Sequence, residues 1–321
     1  MNNGMKKVAW VTGAHGFIGR HLTRALRADG YIVYGLGHGA WPQAEAESWG
    51  VSHWLNGDIA ASNLAEILKI SGAPDAIFHL AGGSSVGAAL AQPREDFTRT
   101  VVSTAALVEW VRQNAPATRL VAVSSAAVYG AGHDGPISED APLSPYSPYG
   151  YHKLMMENLC RSYGASFGIA SVVPRLFSVY GPGLKKQLLW DLCGKIATGA
   201  AEITLGGTGA EIRDWVHVED VVRAVIACAS EASPECPVVN IGSGVAMSVS
   251  DVASEIAAAW SRRGHQRPRV VFGGQSRPGD PFSLLADPSR LKGLVPAAMR
   301  EPAAGFDDYV GWYLAASKGS A

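Results

Sequence analysis

Cysteine is scarce in this chain. There are four in 321 residues, Cys160, Cys193, Cys228 and Cys236, and no two form a C-x-x-C pair. That spacing excludes a disulfide framework and a thiolate metal site; reduced, buried small hydrophobes are expected. The nine histidines form no H-E-x-x-H or similar ligand cluster, so no metal is expected. Charge of one sign is also missing. Lys and Arg total 27 against 28 Asp and Glu, with no basic block, which excludes nucleic acid and anionic membrane as main partners. No apolar run reaches the roughly 20 residues that span a bilayer, and Met1 to Lys7 carries no apolar signal core; a cytoplasmic protein is expected. There is no internal repeat and no low-complexity tract. The length allows a large core and two subdomains.

What is present begins with Thr12-Gly13-Ala14-His15-Gly16-Phe17-Ile18-Gly19. The apolar run Val8-Ala9-Trp10-Val11 leads into it. Ile18, Leu22, Ala25 and Leu26 lead out at helical spacing, with Gly30 as a stop. Strand, glycine turn and helix form the context of a dinucleotide-binding turn. Gly13 permits the turn, Gly16 lets the backbone approach a pyrophosphate, Gly19 lets helix and strand pack, and the helix N-terminus faces the phosphates. An ordinary βα loop can also hold three glycines; the flanking elements and the downstream motifs set that reading aside.

Further strands are expected at Tyr31–Leu36, Ser52–Leu55, Asp75–Leu80, Leu120–Val123, Ser171–Leu176 and Val238–Ile241. Helices alternate with them, among them a long one after Pro93 and one opened by Pro148. Such alternation predicts an α/β, Rossmann-type doubly wound parallel sheet. Ligands of such sheets bind outside the carboxyl ends of the strands, where the glycine turn, Asp58, Ala81-Gly82-Gly83 and Ser124-Ser125 all fall. Residues 1–176, joined by 215–245, are read as the dinucleotide-binding domain. Residues 177–214 and 246–321 are read as a smaller substrate-binding domain.

Tyr149 and Lys153 lie one helical turn apart and share a face. The ammonium is expected to lower the phenol pKa from about 10 toward working pH, with a serine from the neighbouring strand end sharing the substrate oxygen. That trio suits hydride transfer at a carbinol.

In its motifs the sequence resembles the extended short-chain dehydrogenase/reductase family, in the branch of nucleotide-sugar epimerases, dehydratases and reductases. The motifs run in the family's order: Thr-Gly-x-x-Gly-Phe-Ile-Gly at 12–19, Gly-Asp-Ile at 57–59, His-Leu-Ala at 79–81, Ser-Ser-Ala-x-Val-Tyr-Gly at 124–130, Pro-Tyr-Gly-x-x-Lys at 148–153, Tyr-Gly-Pro-Gly at 180–183, Arg-Asp-x-Val-His-Val-x-Asp at 213–220 and Arg-Pro-Gly-Asp at 277–280. The resemblance implies Ser125, Tyr149 and Lys153 as the catalytic residues. It implies cofactor contacts at Gly13, Gly16, Phe17, Ile18, Gly19, His38, Asp58, Ile59, Leu80, Ala81, Gly82, Ser124, Tyr149, Lys153 and Pro174. It implies substrate contacts at Ser84, Ser125, Tyr149, Ser178, Arg213 and Arg277, the two arginines facing a diphosphate. A surface ion pair with Asp214 or Asp280 is the plainer expectation for those arginines. NAD(P) is the implied cofactor and a nucleotide-diphosphate sugar the implied partner. The family's four-helix bundle implies a homodimer, with Phe97, Val101, Val108, Met155, Met156 and Leu159 as surplus apolar positions.

Four positions depart from the family pattern. Gly37 replaces the acid that holds the adenosine ribose, which leaves room for a 2′-phosphate near His38 or His15. Ala126 and Ala127 stand where 4,6-dehydratases carry Asp-Glu, while His133 and Glu139 are expected to be solvated loop residues. Ser178 and Thr100 stand where asparagines are frequent. Hydride transfer at C4 of a nucleotide-activated hexose is therefore expected. Epimerase leads on family breadth, an NADPH-dependent 4-reductase of a 4-keto-6-deoxy sugar is the alternative, and a non-catalytic dinucleotide sensor is more distant.

Overall fold

The computed structural model describes residues 7–274 and 282–318. Its strands are β1 (Val8–Thr12), β2 (Ile32–Gly37), β3 (Val51–Asn56), β4 (Ala76–His79), β5 (Arg119–Ala122), β6 (Ser124–Ser125), β7 (Pro136–Ile137), β8 (Ser171–Leu176), β9 (Ser178–Tyr180), β10 (Glu202–Leu205), β11 (Ile212–His217), β12 (Val238–Ile241), β13 (Ala246–Ser248), β14 (Arg269–Phe272) and β15 (Ser283–Ala286). The helices are α1 (Phe17–Ala28), α2 (Gln43–Ser48), α3 (Ala61–Ser71), α4 (Val86–Ala91), α5 (Pro93–Phe97), α6 (Ser103–Asn114), α7 (Pro148–Phe167), α8 (Gln187–Ala197), α9 (Val218–Cys228), α10 (Val249–Arg262), α11 (Ser289–Leu294) and α12 (Pro302–Lys318).

The main sheet is parallel and runs β3-β2-β1-β4-β5-β8-β12, with β6 extending the pairing on β8. β4 and β8 are buried at every residue, as strands covered by helices on both faces must be. One face packs on α1 and α9 through Leu22, Leu26, Val221 and Val225. The other packs on α3, α6 and α7 through Leu64, Leu107, Val111 and Met156. Strand order reverses between β1 and β4, and such a switch point opens a crevice at the strands' carboxyl ends.

Val238–Ile241 pairs in parallel with β8 in this sheet. A second, mixed sheet runs β13-β11-β15-β7, with β9 on β11, and β10 pairs with β14. Around it, α8, α10 and α12 share a core of Leu192, Ile256, Trp260, Phe306 and Tyr309. The chain segments mix more than their order suggests. β7, between the expected loop residues His133 and Glu139, pairs with β15, and Leu291 and Val295 fill the main sheet's core.

The helix after Pro93 is not uniform. Between α5 and α6 the residues Thr98–Val102 form a π-helical stretch, which widens the helix by one residue around Thr100. Val108 and Met156, expected as surplus apolar positions, are fully buried in the monomer core instead. Phe97 and Met155 are exposed, as are Val102 and Tyr151 beside them. No described helix is long and apolar enough to cross a membrane.

Candidate active site

The glycine turn lies at the switch point. Gly13 has φ of 74°, and its N–H donates to the Leu36 carbonyl (2.7 Å). A Cβ on Gly13 would stand 2.9 Å from the Ala81 nitrogen, and one on Gly19 would stand 2.2 Å from the Gly13 carbonyl oxygen. Only glycine fits either place. The turn thus lies directly against Leu80-Ala81, and the backbone cradle a pyrophosphate needs is present at the N-terminus of α1. Phe17, Ile18 and Leu80 are partly buried against the adjoining core, and Ile59 against the opposite one.

At the far end of the crevice, His38 meets Asp58 at 2.9 Å, both well exposed. A carboxylate, from the residue after Gly57, thus lies beside the end of β2. His15 stacks on Trp41, with ring centroids 4.8 Å apart.

Tyr149 and Lys153 sit on α7. Ser147 caps this helix by accepting from the Gly150 N–H (3.2 Å), Pro148 occupies its first position, and Gly168 ends it in the left-handed region. The Tyr149 phenol lies beside the Ser125 hydroxyl, which acts on it as a polar partner. The Ser125 hydroxyl also accepts from the Ala127 N–H (3.2 Å). Lys153 is buried and its Nζ donates to the Val123 carbonyl (3.0 Å). Burial pushes its pKa down to about 8, against the opposing pull of Asp96 and Glu157. At Tyr149 the shift runs opposite to the sequence expectation: burial raises the phenol pKa, the Ser125 hydroxyl opposes this, and the Asp96 charge adds to it. Burial of the phenol outweighs the opposing Ser125 contribution, while Lys153 directs a hydrogen bond to the Val123 carbonyl.

A chain of hydrogen bonds joins the motif residues Thr12, His79 and Ala81 to Thr104 and Thr100, which no motif contains. The Ala81 N–H donates to Thr12 Oγ1 (3.3 Å), Thr12 Oγ1 meets His79 Nδ1 (2.8 Å), His79 Nε2 meets Thr104 Oγ1 (2.9 Å), and Thr104 donates to the Thr100 carbonyl (2.6 Å). Every donor finds an acceptor when His79 is neutral with its proton on Nε2. Burial and the Lys153 charge push its pKa down to about 3. Thr100 Oγ1 accepts from the Gly83 N–H (2.8 Å) and so fixes the Gly82-Gly83 turn.

Ser124 is 2% exposed and its hydroxyl donates to Glu157 (2.7 Å). Pro174 is buried within β8, opposite Val239. Both lie inside the fold's framework. The expectation for Glu139 is corrected: it is buried, and its carboxylate accepts from the Asn240 N–H (2.9 Å). His133 meets the Tyr129 carbonyl (3.0 Å). Ala126 and Ala127 are buried beside Ser125.

Ser178 opens β9 opposite Trp215, and Ser84 is exposed after the Gly82-Gly83 turn. Arg213 donates to the Ile212 carbonyl (2.8 Å). Asp214 does not form a surface pair with it. Asp214 is fully buried and accepts from the Ser243 N–H (2.7 Å), Gly244 N–H (2.9 Å) and Ala286 N–H (3.2 Å), tying three backbone segments together. Arg277 and its Arg-Pro-Gly-Asp motif lie outside the described residues.

Residues 9–242 match the model of the NAD dependent epimerase/dehydratase family. The chain is 29% identical to the UDP-glucose 4-epimerase of Azospirillum brasilense over 89% of its own length and 86% of that protein. It superposes with a TM-score of 0.82 on MoeE5 in complex with UDP-glucuronic acid and NAD, at 32% identity, over 96% of this chain and 99% of that one. It also superposes, again with a TM-score of 0.82, on TunA, an NAD dependent NDP-hexosamine 5,6-dehydratase of tunicamycin biosynthesis, at 29% identity, over 97% and 98% of the two chains. The glycine cradle at the switch point, Ser125 next to Tyr149 with Lys153 one helical turn on, and the family match over most of its length identify this chain as a member of the NAD dependent epimerase/dehydratase family.

Proposed function

We propose that the protein is a nucleotide-sugar 4-epimerase that uses NAD and takes a uridine-diphosphate hexose. The observation that carries this reading is the placing of Ser125 next to the Tyr149 phenol, with two buried alanines following the serine. A phenol and a serine hydroxyl can hold and move one proton at the C4 oxygen. Ala126 and Ala127 offer no second acid or base for an elimination. Likeness of fold alone does not separate these activities, because an epimerase and a dehydratase are both similar to this chain.

NAD supplies the chemistry of accepting a hydride and giving it back. Tyr149 takes the hydroxyl proton from C4 as that carbon loses its hydride, and returns it when the carbon is reduced on its other face. Ser125 orients the oxygen. Lys153 would contribute positive charge beside the phenol and the Gly82 turn. The turns at Gly13–Gly19 and Leu80–Gly82 hold the dinucleotide, and Arg213 and Ser178 face the substrate. NAD is preferred over NADP because the exposed Asp58 carboxylate, beside His38, would repel a 2′-phosphate. The alternative of an NADPH-dependent 4-reductase loses support for the same reason.

We also read the protein as a homodimer. Phe97, Val102, Tyr151 and Met155 are 38 to 50% exposed and lie together on the packed helices α5 to α7. A second copy of the same face would cover them.

The test incubates the protein with UDP-glucose, UDP-glucuronic acid and UDP-N-acetylglucosamine without added reductant, and follows the C4 epimer by NMR and the mass of each product. Epimer formation at unchanged mass is expected, with NAD released on heat denaturation. Loss of one water at catalytic rate, or turnover only with a supplied 4-keto sugar and NADPH, would overturn the reading.

A further inference from the structure

One buried pair beside the trio belongs to none of the motifs. His152 lies between Tyr149 and Lys153 in the sequence of α7, and its Nδ1 donates to Asp96 Oδ2 of α5 (2.5 Å). The side chains are 12% and 4% exposed. The other Asp96 oxygen lies so close to Gly83 that a Cβ there would be 1.7 Å from it. A Cβ on Gly82 would be 3.4 Å from Lys153 Nζ. Two elements and one turn therefore meet at a single carboxylate: α7 through His152, α5 through Asp96, and the turn after β4 through Gly83.

We propose that Asp96 and His152 are a positioning pair that holds the Tyr149 phenol and the Lys153 ammonium at a fixed place against the Gly82-Gly83 turn. The inference rests on the reading of Tyr149 as the proton-transfer group. Three observations support it. First, α4, α5 and the π-helical stretch all pack on α7, yet among the described residues this is the only side-chain hydrogen bond joining them to it. Second, the Phe97 ring meets the His152 ring edge-on at 5.4 Å, which closes the pair off on its outer side. Third, the pair is electrically coupled to the trio. The Asp96 charge favours the protonated forms of both Tyr149 and Lys153. The other charged or titratable groups facing the site are His79 on β4, neutral between two threonines, and Glu157 on α7, which is bound to Arg175. On α5 itself, Glu95 pairs with Arg99 in solvent. Asp96 is thus the carboxylate whose removal changes the field at Tyr149 without breaking the Glu157–Arg175 pair.

Asp96→Asn keeps the shape and removes the charge; His152→Asn keeps a donor and shortens the reach. The phenolate absorbance of each protein is titrated, and the same titration of its Tyr149→Phe counterpart is subtracted, which isolates the Tyr149 step whether or not a sugar turns over. Asp96→Asn is expected to move that step down, because it removes a charge that favours the protonated phenol. In the epimerase assay both variants should lose about tenfold in kcat with KM within twofold, because substrate contacts are untouched. An unmoved Tyr149 step in Asp96→Asn, or wild-type kcat in both variants, would overturn the proposal. Should Asp96→Asn fail to fold, His152→Asn with kcat unchanged overturns it alone. If the wild-type protein turns over no sugar, the function reading has failed, and the titration still decides the pair.

Discussion

Lys153 Nζ donates to the carbonyl oxygen of Val123 at 3.0 Å. The acceptor is available for a simple reason. The Val123 N–H donates to the His79 carbonyl, but β4 ends at His79, and the next amide on that side, Ala81, donates to Thr12 instead. The Val123 carbonyl thus has no ladder partner, and the ammonium satisfies it. With a pKa near 8, this lysine loses its charge as pH rises. If turnover needs the ammonium, kcat should fall about tenfold per pH unit above pH 8. Stability should move the other way. Between about 8 and the ordinary 10.5 the folded protein binds fewer protons than the unfolded chain, so this group adds stability as pH rises. A kcat that stays flat to pH 10 would show that the ammonium is not required.

Tyr149→Phe should fold and bind NAD but lose about 10² to 10⁴ in turnover. The phenol is the group that faces Ser125, and phenylalanine retains most of its volume. Steady-state epimerisation alongside calorimetric NAD binding measures both quantities. A rate within twofold of wild type would remove Tyr149 from the chemistry.

His79 predicts an acid limit. It is fully buried and neutral, with a pKa pushed down to about 3 from 6.5. Below 6.5 the unfolded chain takes up a proton that the folded protein refuses. Stability from this group is complete above 6.5 and declines toward 3, at most by about 1.4 kcal/mol per pH unit. Urea unfolding at pH 7.5, 5.5 and 4.5 should show a shallower pH slope in His79→Gln than in wild type; equal slopes would contradict the assignment.

Glu157 and Arg175 form a buried ion pair, with Arg175 Nε and Nη2 donating to the two carboxylate oxygens at 2.9 and 2.7 Å. Both are essentially inaccessible to water. Arg175→Met leaves a buried carboxylate without its main partner and should cost about 3–5 kcal/mol in urea unfolding. Replacing both, as Glu157→Leu with Arg175→Met, should recover much of that loss. A single variant within about 1 kcal/mol of wild type would mean that water or Arg161 replaces the lost guanidinium.

The exposed apolar face on α5 to α7 gives the last prediction. Tyr151→Asp combined with Met155→Glu should yield a monomer by light scattering at micromolar concentration while wild type is a dimer. Both side chains are 43 to 50% exposed, so the monomer fold should tolerate the charges. A monomeric wild-type protein would refute the dimer.

The sequence by itself determined what depends on local spacing. Alternating apolar runs and helical periodicities dictated the parallel sheet, because burial on both faces leaves no other pattern for strands such as Ala76–His79 and Ser171–Leu176. Gly13 and Gly19 were legible because no side chain fits a left-handed turn or a helix pressed on a strand end. Tyr149 and Lys153 were legible because one helical turn separates them. Tertiary structure alone decided the rest, since it depends on distance through space. Glu139 reads as a loop residue until Asn240, more than a hundred residues away, donates to it. Val108 and Met156 carry the same helical signal as Met155, and only packing shows which of them face the core. The direction of the Tyr149 shift and the pairing of Asp96 with His152 follow from the depth of burial and from where α5 meets α7, and neither is encoded in the spacing of adjacent residues.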